Sequence, residues 1–561
     1  MLLILLCCVL CDKNELTQEA VNTVITNKGV ISSIKNYTKN SVENIQVPAA
    51  KANTKTQPKY YSSSIKSTTN DINENTNSYE IDSGKCGDEV NFSLYSDGEL
   101  DIYGKGNMYE QFFTFEIPYS HYINLIKSVV IKNGVTSIGE NAFIYFNYIT
   151  SVIISNDVKY IGNQAFFHCV NLMSINLPNG ITSINKQTFC FCWNLFSINI
   201  PESVTSIGDE AFLNASLTSI NIPKNVRSIG TSVFEGCSRL EAIYVSSENQ
   251  DYMSKEGVLF SHNETILYVY PSNKNGIEYS IPYEVTSIGA YAFDECNYIT
   301  SVNIQDEVKS IGKSAFEYCY CLMSINLPNG ITSINEHTFG YCKKLSSIII
   351  PESVKSICEE AFGHSGLTSI YIPKNVSSIA YNVFEGCSKL EAIYVSSENQ
   401  DYMSKEGVLF SHDETILYVY PSNKNRIEYS KTIHTIAFHE CSKLSYISIP
   451  SSVSEIEQHA FLYCSELSSI IIRSNIVNLN YATIDSCYKL SLVIYLGNSA
   501  SVYSRIINNC PILNEVHVLP NYESDSFCYE LTVKRCIKTD TCGASSKYIF
   551  DNCSGTLIIS G

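Results

Sequence analysis

Short apolar groups return along this chain at a nearly fixed interval, and each is built the same way. In Leu172-Met-Ser-Ile-Asn-Leu the apolar Leu172, Ile175 and Leu177 are interleaved with Met173, Ser174 and Asn176. That alternation predicts a short strand with one buried face and one outward, concave face. Pro178 follows, and then a second apolar group, Ile181, Ile184 and Phe189, predicted to fill the opposite wall. The second group opens as Val135-Thr-Ser-Ile, Val158-Lys-Tyr-Ile, Ile181-Thr-Ser-Ile, Val204-Thr-Ser-Ile and Val226-Arg-Ser-Ile, spaced by 23, 23, 23 and 22 residues. It resumes at Val285, Val308, Ile331, Val354 and Val376, and continues less regularly through Ile433, Val453 and Ile476.

A period of this length is that of a solenoid coil, and the count is about thirteen coils. One coil cannot bury its own apolar face, so successive strands must stack into a parallel sheet at about 4.8 Å per rung. The proline after the strand, and Gly139, Gly162 or Gly208 after the second apolar pair, are read as the sharp returns. Above this period lies a larger one. Phe234–Asn275 recurs as Phe384–Asn425, 150 residues later, with only Arg239 to Lys389 and Asn263 to Asp413 changed. Each copy carries an island, 246–284 and 396–432, in which Gly257–Ser261 and Thr265–Tyr270 flank a polar turn. The pattern predicts a β-hairpin insertion that protrudes from the coils.

These motifs resemble the BspA-like leucine-rich repeat proteins, with the Treponema pallidum type of repeat, found in oral bacteria and expanded in parasitic protists. The similarity runs from about residue 84 to 518. It rests on Val-x-Ser-Ile-Gly-x-x-Ala-Phe-x-x-Cys-x-x-Leu-x-Ser-Ile-x-Ile-Pro, on the Tyr-x-Ser-x-Glu-Gly-Val-Leu island, and on the lead-in from Cys86-Gly-Asp-Glu to Met108. Coil eleven departs from it, since Ile436-Ala-Phe438 lacks the usual Gly-x-x. The resemblance implies an α/β-type, β-rich repeat fold, a leucine-rich repeat right-handed solenoid with a parallel concave sheet. It also implies a secreted or surface-exposed protein that adheres to host matrix or cells, with no catalytic residues to carry over.

The ends differ from the coils. Residues 1–11 are an uncharged apolar run, too short to span a bilayer, and read as a signal peptide. Residues 12–80 turn to Asn, Ser, Thr, Lys and Glu, a composition that cannot bury enough surface to offset its ordering entropy, and read as a disordered spacer. A lead-in module at 84–126 precedes the solenoid at 127–518. Residues 519–561 hold Cys542-Gly-Ala-Ser…Ser554-Gly-Thr-Leu-Ile-Ile-Ser-Gly561, which resembles that lead-in and stops where the first continues. An incomplete second lead-in, with the natural chain running past Gly561, is therefore expected.

Charge removes several functions. Across 561 residues, 38 Lys and Arg face 56 Asp and Glu, a net charge of −18, so nucleic acid is a poor partner and the chain offers no polybasic membrane attachment. No His-Glu-x-x-His, Gly-x-Ser-x-Gly or Walker loop is present, so no enzyme activity, cofactor or metal site is expected. Eleven of the 22 cysteines share one coil position: Cys169, Cys192, Cys237, Cys296, Cys319, Cys342, Cys387, Cys441, Cys464, Cys487 and Cys510. They read as buried corner residues. Cys528, Cys536, Cys542 and Cys553 lie outside the ladder and are the disulfide candidates, with pairing open. Six Asn-x-Ser/Thr acceptors, Asn36, Asn91, Asn214, Asn263, Asn375 and Asn552, become glycosylation sites if the chain is secreted, Asn263 and Asn375 above all.

What remains is a face of Ser, Thr and Asn carrying Phe196, Tyr244, Tyr371, Tyr394 and Tyr446. Aromatics among small polar residues suit a binding surface, so the expected partner is an extracellular protein or glycan. Tyr244 and Tyr394 occupy equivalent coils of the duplication, which would let one bivalent ligand engage both. The alternative is a structural, self-associating surface coat.

Overall fold

The computed structural model describes residues 78–110, 116–424, 432–473, 478–498, 505–527, 531–541, 547–554 and 556–560. All of them belong to the compact unit Asn77–Gly561. The signal peptide, Asn36 and most of the spacer lie outside the described residues, as do Cys528 and Cys542.

The described chain winds into a β-rich solenoid of about 16 turns. That exceeds thirteen because the lead-in and the islands supply strands of their own. Glu80–Lys85, Val90–Tyr95 and Glu99–Gly104 form an antiparallel meander whose last strand pairs in parallel with Ser128–Ile131. The lead-in thereby closes the edge of the first coil, which would otherwise present a row of unpaired backbone groups. The parallel ladder continues through Ser151–Ile154, Ser174–Asn176 and Ser197–Asn199 in unbroken register, serine on serine and isoleucine on isoleucine or valine. Leu172, Ile175 and Leu177 are buried, and Met173, Ser174 and Asn176 are exposed, as the alternation requires. The Val-x-Ser-Ile groups form a second, narrower ladder, as in Ser183–Ile184 on Ser206–Ile207.

Between the ladders each coil is closed by overlapping tight turns. Ala142, Ile144 and Phe146 N–H groups return to the Gly139, Asn141 and Phe143 carbonyls, while the N–H groups of Asn141, Phe143 and Tyr145 reach carbonyls of the next coil. Asn141 and Tyr145 adopt φ of 57° and 64°, and the same pair recurs as Gln164 and His168, Gln187 and Phe191, and Tyr291 and Glu295. The sharp returns are thus made by ordinary L residues in left-handed conformation, held there by hydrogen bonds to both sides. The glycines do something else. A Cβ at Gly162 or Gly312 would come within 2.4 Å of the backbone nitrogen of Glu140 or Ala290 in the preceding coil, so glycine is required for close approach of coils.

Inside the turns the phenylalanines stack. Phe143, Phe166, Phe189, Phe212 and Phe234 form one column with centroids 5.3–6.1 Å apart and planes within 12°. A second runs from Tyr270 through Phe293, Phe316, Phe339, Phe362 and Phe384. Beside them runs the cysteine ladder. Most of its thiols donate to the carbonyl of the aromatic residue one coil earlier, Cys169 to Phe143 at 3.2 Å, Cys192 to Phe166 at 3.3 Å and Cys342 to Phe316 at 3.2 Å. Cysteine suits this corner because it is small and apolar, yet carries one weak donor that gives the carbonyl a second hydrogen bond beside the N–H of its own turn. Burial raises these thiols far above their ordinary pKa, and pushes Cys387 up to about 11. In native protein at pH 8 the ladder should therefore resist maleimide, while half-buried Cys321 reacts first. Peptide mapping of the labelled chain checks this; early modification of Cys169 or Cys342 would contradict the buried ladder.

The islands hold the expected hairpins but do not protrude. Val258–Ser261 pairs antiparallel with both Tyr252–Lys255 and Ile266–Val269, and the last of these then joins the narrow ladder in parallel with Ser287–Ile288. Tyr252, Val258, Leu259, Phe260 and Leu267 are buried. Their apolar side chains are too many for a solvated hairpin, so the island serves as the wall of a coil. The second island repeats this from Tyr402 to Val419. The core accordingly falls into three large clusters that meet within the islands, the first ending at Leu259, the second running from Val258 to Leu409 and the third from Val408 to Phe527.

At the C-terminal end Leu531–Arg535 adds a parallel strand to Glu515–Val518, and Ile537–Thr541, Lys547–Asp551 and Thr556–Ser560 form an antiparallel meander, the arrangement the lead-in also has. Cys536 and Cys553 form a disulfide, and buried Asp551 accepts from His517 Nδ1 at 2.6 Å.

Candidate binding face

Two rows of side chains point outward from the strand ladder. One is nearly all serine or alanine, from Ser128 through Ser151, Ser174, Ser197, Ser219 and Ala242. The other carries Asn176, Asn199, Asn221 and Tyr244 on one side of the first island, and Asn303, Asn326, Ile349, Tyr371 and Tyr394 on its other side. One asparagine of this row closes upon the neighbouring rung. The Asn326 amide donates to the Ile304 carbonyl at 2.6 Å and its oxygen accepts the Ile304 N–H at 2.8 Å, so its hydrogen bonds are already made.

Beyond Asn326 the row changes character. Ile349 is 85% exposed, Tyr371 48% and Tyr394 53%, and the three stand on consecutive rungs, Ile349 bridged to Tyr371 and Tyr371 in register with Tyr394. At about 4.8 Å per rung this is an apolar stripe roughly 10 Å long, whereas the other exposed apolar residues of the row, Ile153 and Tyr244, stand singly. Next to it Lys374 pairs with Glu398 at 3.0 Å, and Asn423 donates to Glu391 at 2.8 Å. An exposed apolar patch rimmed by polar pairs is the anatomy of a contact surface.

The five aromatic candidates do not form one site. Tyr371 and Tyr394 are adjacent. Tyr244 is equally exposed but has Asn221 as its rung neighbour, in the first core block rather than the second. Tyr446 opens the strand Tyr446–Ile449 opposite Ser469, which places it on the serine row. Phe196 is half-buried beneath Arg239, whose guanidinium carbon lies 5.3 Å from the ring centroid, so its face is already occupied. Ile349 was missed, although Ser347-Ile-Ile-Ile350 read with a period of two points its central isoleucine outward.

Among the acceptor asparagines, Asn263 sits exposed in the island turn, its side-chain oxygen holding Ser261 and Thr265. Asn375 is exposed, but its amide nitrogen, the atom a glycan would modify, donates to the Glu352 carbonyl at 2.7 Å. Asn91 lies within the strand Val90–Tyr95 and Asn214 at a left-handed turn position, both half-buried, and Asn552 is exposed next to the disulfide.

A parallel strand ladder with stacked phenylalanines and a repeat of 22–23 residues defines a leucine-rich repeat protein. The BspA type leucine rich repeat region matches in six copies, over residues 118–241, 268–391 and 427–556, and the chain belongs to that family. Among solved structures it is similar to a leucine rich cell surface protein of Faecalibacterium prausnitzii, at 31% identity over 55% of this chain and 94% of that one, with a TM-score of 0.46. A leucine-rich repeat protein of Eubacterium ventriosum is 23% identical over 81% and 99% of the two chains, TM-score 0.48. The pneumococcal vaccine antigen PcpA is 18% identical over 71% and 94%, TM-score 0.46. No curated protein matches the chain. No helix among the described residues is long and apolar enough to cross a membrane.

Proposed function

We propose that this chain is a non-enzymatic, extracellular or cell-surface recognition protein that adheres to a protein or glycan through its strand face. The observation that carries the reading is the stripe of Ile349, Tyr371 and Tyr394, the place where the asparagine row gives way to exposed apolar area. Membership of the BspA-type family supports it, and so does a similar chain described as a cell surface protein. The reading requires export, which the N-terminal apolar run would direct, and it makes Asn263 the leading glycosylation site, since its amide nitrogen is not spent on a neighbouring coil.

Flow cytometry on intact, unpermeabilised cells with an antibody to the coils tests display before any ligand is chosen. Staining, with a glycosidase-sensitive form of the chain, is the expected result. A wholly cytosolic, uncleaved pool would overturn it. Saturable binding of the purified chain to host matrix or cells separates adhesion from a self-associating coat, which would polymerise and show no such saturation.

A further inference from the structure

The turn ladder loses a rung where the first island meets the next coil. In most coils the three outward N–H groups of the turn reach carbonyls of the following coil, as Glu210, Phe212 and Asn214 reach Thr231, Val233 and Glu235. The next set, Ser232, Phe234 and Gly236, faces the island, which has no turn segment to offer. Gly236 N–H instead meets the Asp294 carboxylate, Oδ2 at 3.3 Å, and the Ser232 and Phe234 N–H groups find no acceptor among the described residues. Across the gap Tyr270 N–H takes the Ala292 carbonyl, and those of Ala290 and Asp294 find no donor among the described residues.

A cavity of about 310 Å³ fills this missing rung, lined by Ser232, Phe234, Tyr270, Ala290 and Asp294 among others. That is the lower end of the range for small-molecule sites. Its floor is apolar, Leu240 and Leu259, and its walls bring the rings of Tyr268, Tyr270 and Tyr291 together with Asp294 and Glu235. Asp294 is only 8% exposed, and its Oδ1 accepts no hydrogen bond among the described residues. The duplication provides a built-in comparison. Phe384–Asn425 rebuilds the same island, yet there the space is about 20 Å³. What differs is the flanking coils: Thr231 is matched by Tyr381, Gly289 by His434, Ala290 by Thr435 and Asp294 by His439. The first copy has small side chains where the second has large ones, and a carboxylate where the second has an imidazole.

We propose that this cavity binds a small organic ligand carrying a primary ammonium beside oxygen acceptors, the chemistry shared by amino sugars and free amino acids. The buried carboxylate receives the ammonium, the tyrosine rings flank it, and the Ser232 and Phe234 N–H groups donate to the ligand oxygens. Lys313, which lies over the Tyr291 ring at 5.5 Å, supplies positive charge outside the cavity, while Glu210, Glu295 and Glu317 add negative charge around it. Burial pushes Glu235 up to about 7 and raises Asp294 well above the carboxylate range, with the neighbouring acids adding to both shifts. An arriving ammonium must therefore displace protons, and binding should strengthen as pH rises from 5 to 7.

Isothermal titration of the full chain with glucosamine against glucose, and with lysine against hexanamide, which has neither ammonium nor net charge, tests the proposal. At least one ammonium probe should bind, tenfold or more tighter than its neutral counterpart, with proton uptake by the buffer and tighter binding at pH 7 than at pH 5. Whether glucosamine or lysine wins identifies the source. Asp294→Asn should abolish the difference between the charged and neutral probes. Thr231→Tyr with Ala290→Thr should remove binding by filling the space, as the second copy does without loss of fold; a melting curve confirms that the variants are folded. Equal binding of the neutral probes, undiminished binding by the filled variant, or no binding of either ammonium probe overturns the proposal.

Discussion

Replacing Phe316 by alanine is expected to destabilise the solenoid by about 3–5 kcal/mol, the usual cost of deleting a fully buried aromatic ring. Phe316 is fully buried and stacked on both faces, 4.9 Å from Phe293 and 5.6 Å from Phe339. In a globular core neighbours from several directions can relax into a void. Here the column is held by the repeat of coils above and below, and Gly312 cannot move inward because its coil already lies against the preceding backbone. The loss also falls on two interfaces at once, since each coil is stabilised only by its neighbours. Urea denaturation followed by circular dichroism reads the effect, with Tyr320→Ala at an exposed position as the control, expected to stay within about 0.5 kcal/mol. A Phe316→Ala midpoint equal to that of the control would mean that the column contributes little.

The second large effect concerns attachment. Tyr371→Ala and Tyr394→Ala should each weaken binding by about 1–2 kcal/mol, roughly five- to thirtyfold, as for aromatic anchors in a desolvated patch. Because the two residues stand in register on adjacent rungs, the double variant should depart from the sum of the single losses. Tyr244→Ala should cost less, for its rung neighbour is Asn221 and it has no apolar stripe to complete. Adhesion of cells displaying the variants at equal levels measures all three. Undiminished adhesion of the Tyr371/Tyr394 double variant would remove the strand face as the contact surface, and equal losses at Tyr244 and Tyr394 would restore the bivalent arrangement that the duplication suggests.

The repeating architecture was legible because the same physical constraint is written many times: inward Leu172, Ile175 and Leu177 follow from period-two alternation, and the 23-residue spacing follows from one coil. The turns were harder to read. Left-handed conformations are ordinarily marked by glycine or asparagine, yet Tyr145, His168 and Phe191 adopt them here. No local propensity signals that, because the conformation is imposed by hydrogen bonds to coils 23 residues away. The glycines that are present mark close approach instead, a contact with a distant segment that sequence alone does not specify. The islands were misplaced for a related reason. Their hairpin is a local pattern and was found, whereas its burial depends on the coil before and the coil after. The binding candidates divide in the same way: exposure of Tyr371 and Tyr394 follows from alternation, but the Arg239 that covers Phe196 comes from two coils on.

The three core blocks have a mechanical meaning. A chain held at one end and attached to a ligand through its strand face is pulled along its length, and force then finds the weakest junctions first. Those are the islands, where phenylalanine columns end and the hydrophobic clusters change over. The solenoid should therefore yield block by block rather than all at once. Each block holds on the order of 150 residues, whose extended length is roughly 500 Å against roughly 30 Å when coiled. Three such releases would let a tethered cell drift far from its point of attachment without letting go, and optical-trap traces of the full chain should show them as discrete steps.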